Sequence, residues 1–63
     1  MGIVYRVVVD MGIFDHAIDY PCTKANVKFT EPRIMRMWQN KANVVSIYRV
    51  YADTTADVLY ERG

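Results

Sequence analysis

Residues 3–10, IVYRVVVD, carry β-branched or aromatic side chains at every position except Arg6 and Asp10. A short run of this kind predicts a strand. Met11-Gly12 follows as a turn, with Gly12 free to take positive φ. Residues 13–20, IFDHAIDY, alternate, with Phe14, His16, Ile18 and Tyr20 on one side and Asp15, Ala17 and Asp19 on the other. That period of two predicts a half-buried second strand, hairpinned to the first. Pro21 is expected to end it, and residues 21–29 to form a loop with a short extended piece at Val27 to Phe29.

The period changes at FTEPRIMRMWQN, residues 29–40. Thr30 reads as an N-cap, its hydroxyl accepting from a free amide of the first turn. Glu31 suits the positive end of the helix dipole. Pro32 belongs in a first turn, where its missing N–H would have no partner anyway. The expected helix runs to about Lys41. At 100° per residue it gathers Ile34, Met37 and Trp38 toward the core, with Met35 flanking, and sends Arg33, Arg36, Gln39 and Asn40 to solvent.

Residues 44–52, VVSIYRVYA, predict a third strand; ADTTAD is a turn and VLYER a fourth strand. The chain therefore reads as one α+β domain, residues 1–63, in ββαββ order. A small antiparallel sheet carries one amphipathic helix on one face.

The strands have more apolar positions than one helix can cover. Strand 1 is apolar on both parities, and so is strand 3, whereas a sheet with one wet face should alternate cleanly. If Phe14, His16, Ile18 and Tyr20 lie under the helix, the bare face collects Val4, Arg6, Val8, Val45, Ile47, Arg49 and Tyr51, rimmed by Asp15 and Asp19. Aliphatics mixed with Tyr and Arg inside a charged rim have the composition of a protein interface. The solvent side of the helix offers a second candidate surface in Arg33 and Arg36, with Lys41 nearby, for an acidic partner. Face assignments made on parity alone would invert at a single bulge.

Composition removes several function classes. The chain is 52% hydrophobic with a formal net charge of +1, outside the range of disordered sequences and too weakly basic for nucleic acid to be the first reading. The charge is segregated, with Asp10, Asp15 and Asp19 early, a basic middle from Lys24 to Lys41, and Asp53, Asp57 and Glu61 late. No apolar run reaches the ~18 residues of a membrane span, and the N-terminal segment does not read as a signal peptide. The single cysteine, Cys22, fits a reducing cytoplasm better than a secreted disulfide scaffold.

Catalytic and metal chemistry find little to work with. His16 and Cys22 supply one ligand of each type where zinc takes about four, without paired spacing, and no third group orients them as nucleophile and base. Asp15 and Asp19 share a strand face but stand ~13 Å apart. The glycines, at 2, 12 and 63, make no phosphate loop. The expectation is a non-enzymatic protein-binding module without a cofactor. It would be an inhibitor or adaptor of the kind phages and mobile elements carry, docking on a larger protein such as a host enzyme and blocking a surface. Self-association into a homodimer is compatible with that. Nucleic-acid binding through sheet aromatics (Tyr51) and cations (Arg6, Arg49) is the alternative, opposed by the acidic rim.

Overall fold

The computed structural model describes residues 2–63. β1 (Gly2–Asp10) and β2 (Asp15–Thr23) form a hairpin, a 3-10 turn (Lys24–Asn26) leads into α1 (Val27–Trp38), and β3 (Val44–Val50) and β4 (Ala56–Glu61) complete the chain. The four strands make one antiparallel sheet in the order β2-β1-β3-β4. β1 thus lies between β2 and β3, and α1 carries the chain over it. No helix among the described residues is long and apolar enough to cross a membrane.

β1 is the spine of the core. Ile3, Tyr5, Val7 and Val9 all point under the helix and are buried, joined by Val44 and Ile47 of β3 and Ile34 of α1. Ile18, Tyr20 and Cys22 from β2, and Val27, Met35 and Trp38 from α1, close over this cluster half-buried. Each fully buried aliphatic contributes about 1.5–3 kcal/mol, so a central strand that is apolar at every second position organises the molecule. Trp38 Nε1 donates to Tyr20 Oη at 3.1 Å, tying the end of α1 to the edge strand.

Element types and order match the sequence reading; several boundaries do not. β2 begins at Asp15, so Ile13 and Phe14 lie in the turn, and it continues through Pro21 to Thr23. β2 is an edge strand, where alternate N–H groups have no ladder partner and a proline can sit without breaking a bond. Because β2 is longer, no nine-residue loop precedes the helix. The chain turns at Lys24 and α1 starts at Val27, three residues before the expected cap Thr30, with Asn26 at the N-cap and no side-chain cap bond.

Pro32 is consequently interior, and the Lys28 carbonyl loses its i+4 donor. Both residues are exposed, so water can take the donor's place. The core explains this register: Val27, Glu31, Ile34, Met35 and Trp38 follow the i, i+4, i+7, i+8, i+11 stripe of one helix face. Met35 turns inward in place of Met37, which is 46% exposed.

The face assignment of β3 is the principal correction. Val4 pairs with Val50, Arg6 with Tyr48 and Val7 with Ile47, and the register shifts at Val8/Val9, leaving Val45 as the extra residue of a bulge. Ile47, Arg49 and Tyr51 therefore lie on the helix side, not on the open face with Arg6 and Val8. Ile47 is fully buried. Their places on the open face go to Tyr48 and Val50.

Candidate functional site

Arg49 can point inward because α1 supplies a partner. Its Nε donates to Glu31 Oε1 at 2.7 Å, and its Nη2 reaches the same oxygen. Tyr5 Oη donates to Glu31 Oε1 at 3.0 Å. Arg49 Nη1 donates to Tyr51 Oη at 3.1 Å and to Asp57 Oδ2 at 3.3 Å, and Tyr51 Oη donates to Asp57 Oδ2 at 2.6 Å. These five side chains form one network between helix and sheet. Burial, reinforced by the Glu31 carboxylate and opposed by Arg49, pushes the Tyr5 phenol up to about 12. The hydrogen bonds Arg49 donates to Tyr51 and Glu31 raise its guanidinium beyond its ordinary value. No buried side-chain nitrogen or oxygen among the described residues is left unpaired. Sequence parity had assigned Arg49 and Tyr51 to a partner; the fold uses them itself.

The open face of the sheet carries cross-strand rows. One runs Asp19–Arg6–Tyr48–Val58 and the next Pro21–Val4–Val50–Ala56. Arg6 forks onto Asp19 through Nε–Oδ1 at 2.8 Å and Nη2–Oδ2 at 3.1 Å. That fork raises the guanidinium and lowers the Asp19 carboxyl from their ordinary values. Val4, Val8, Tyr48 and Val50 on this face are only partly exposed, and Ser46, opposite Val8, is buried. Val45 is half-buried at the bulge. For nucleic-acid binding this placement leaves Tyr48 as the central aromatic, with Arg6 already engaged by a carboxylate.

On α1, Arg33, Arg36 and the exposed Met37 border a shallow depression. None of the four ion pairs among the described residues uses either arginine. Lys41 is apart from them, its ammonium 5.7 Å from the centroid of the Trp38 ring. A cleft of about 280 Å³ opens at the far end of the sheet between Ile3, Lys24, Tyr51 and Thr55. His16 and Cys22 lie six residues apart along one strand face, roughly 20 Å. No group of three or more His, Cys, Asp or Glu side chains among the described residues is placed to hold a metal ion.

The most exposed large hydrophobic among the described residues, Ile13 at 92%, lies elsewhere, at the tip of the β1–β2 hairpin. Met11 at 53% and Phe14 at 55% flank it, so the tip gathers three such side chains, whereas Phe29 (73%) and Met37 on α1 and Val58 on β4 are spread over separate elements. The tip is held in one shape. Gly12 takes φ 97°, its N–H donates to Asp10 Oδ1 at 2.8 Å, and Met11 N–H donates to the Phe14 carbonyl at 2.9 Å. Immediately beneath, Asp10 and Asp15 face each other across the hairpin as a register pair. Sequence reasoning missed this site because Phe14 continues the alternation of His16, Ile18 and Tyr20. The available signal was three large apolar residues around a turn glycine, where hairpin loops ordinarily place polar ones.

No family model, curated protein or solved structure matches the chain.

Proposed function

We propose that the protein is a small non-enzymatic binding module, an inhibitor or adaptor, that docks on a larger protein through the β1–β2 hairpin tip. The observation that carries this reading is the exposure of Met11, Ile13 and Phe14 on a turn that its own hydrogen bonds keep ordered. Interfaces draw most of their energy from a few large side chains entering pockets. Little ordering entropy remains to be lost when the loop carrying them is already fixed. The open face of the sheet, with Val8 and the Arg6–Asp19 fork, flanks the contact, while Arg33 and Arg36 on α1 form a separate polar surface.

The deciding experiment is capture from a lysate of the protein's native cells, with and without nuclease, comparing the wild type with Ile13→Ser. A stoichiometric protein retained after nuclease and lost with Ile13→Ser supports the reading. Retention only while nucleic acid is intact, or capture indifferent to Ile13→Ser, refutes it.

A further inference from the structure

The geometry points to a specific kind of partner for the hairpin tip: a protein surface with an apolar pocket rimmed by lysine or arginine side chains. This rests on the reading of the tip as the docking element and adds the charge of the surface it meets. Asp10 and Asp15 stand directly opposite each other at the last pair before the turn. Side chains in such a pair are ~5 Å apart, and like charges there destabilise the hairpin. Only one of the two is compensated. Asp10 accepts from Gly12 N–H and stands 3.7 Å from Arg62 Nη2. Asp15 is exposed and has no side-chain hydrogen bond or ion pair among the described residues. A cation from outside would relieve the repulsion just where the apolar tip is seated.

The same charges argue against the other occupants. Anionic lipid headgroups and nucleic-acid phosphates would be repelled by the uncompensated Asp15 carboxylate. A second copy meeting tip to tip would bring four aspartates together; a tip seated on the Arg33–Arg36–Met37 depression of another copy is the self-association that light scattering tests. A cation-rimmed pocket fits both parts of the patch, the apolar end and the acidic collar.

The test takes the protein captured from the lysate, purified, and titrates it with full-length wild type, Ile13→Ser and Asp15→Asn at about 50 mM and about 0.5 M NaCl, where screening is weak and then nearly complete. The wild type is expected to bind more weakly at high salt. Asp15→Asn is expected to lose about two- to five-fold in affinity at low salt and to match the wild type at high salt. Its thermal midpoint should be equal to or above the wild type's, so the loss is not one of folding. Wild-type affinity from Asp15→Asn at low salt overturns the cationic rim. If Ile13→Ser still abolishes binding in that case, the docking reading survives alone. If Ile13→Ser binds as wild type, or no protein is captured, both fall. Tip-dependent binding to phosphatidylcholine vesicles, with or without about 30% phosphatidylglycerol, or tip-dependent self-association by light scattering, overturns the proposal in favour of those occupants.

Discussion

Tyr5 shows how one side chain links the core to the polar network. Its ring is fully buried among β1 neighbours while its hydroxyl reaches the Glu31 carboxylate. Ionising it would place a negative charge in the core beside another, which is why its folded pKa rises to about 12. The unfolded value is ~10. The folded state therefore holds the proton more tightly, and this contribution to stability is complete below pH ~10 and lost as pH climbs from ~10 to ~12. Urea midpoints should be flat from neutral pH to ~9.5 and fall beyond it. Tyr5→Phe should remove part of that fall while lowering stability at pH 7 by about 1 kcal/mol. An unchanged alkaline slope in Tyr5→Phe would contradict the assignment.

A second residue-scale effect sits in the β3–β4 turn. Thr54 is β-branched and has φ 70°, a region costing non-glycine residues about 1–2 kcal/mol. Tyr51 N–H to Thr55 carbonyl at 2.8 Å and Thr54 N–H to Tyr51 carbonyl at 2.9 Å hold it there. Thr54→Gly should relieve the strain, lose some of the gain to unfolded-chain entropy, and stabilise by about 0.5–1 kcal/mol in thermal melts. A destabilised Thr54→Gly would show the threonine side chain to be needed.

Among the elements, α1 and β3 are joined by a charge pair as well as by packing. Arg49 is 22% exposed in the pair, and removing Glu31 takes away the carboxylate that accepts from its Nε and Nη2. Glu31→Ala should cost about 2 kcal/mol, below the ~3–5 kcal/mol of a fully buried pair because both side chains are partly exposed and Asp57 still reaches Arg49. Glu31→Ala with Arg49→Met should cost less than Glu31→Ala alone, a sign that the unpaired cation, not the lost packing, dominates. This pair also explains what sequence could and could not give. Strand and helix identities were legible because period two and period 3.6 are local properties. The face of β3 was not, because polarity sends an arginine outward unless a carboxylate eighteen residues away waits inside. The bulge at Val45, the tolerance of an edge strand for Pro21, and the pull of Val27 into the helix stripe are likewise decided by tertiary partners. The hairpin tip was hidden by its own alternation. The basic face of α1, read from the same stripe, needed only Met37 exchanged for Met35.

At the scale of the whole molecule, 63 residues permit roughly 3–9 kcal/mol of stability, and the core that supplies it is a single layer between one helix and one sheet. So small a reserve makes exposed apolar side chains informative. Three large residues at the tip add nothing to a core that has few to spare, and they raise the risk of aggregation. The contrast can be read with one chemical change at two positions. Ile47→Ser removes a fully buried side chain, losing about 2–4 kcal/mol of packing and burying a hydroxyl that must find a partner. At ~4–8 °C per kcal/mol for a domain this size, its thermal midpoint should fall by at least ~10 °C. Ile13→Ser changes a side chain 92% exposed and should move the midpoint by no more than ~3 °C, leaving the circular dichroism spectrum as it was. Comparable losses at both positions would mean that the tip is part of the folded core and is not free to anchor a partner.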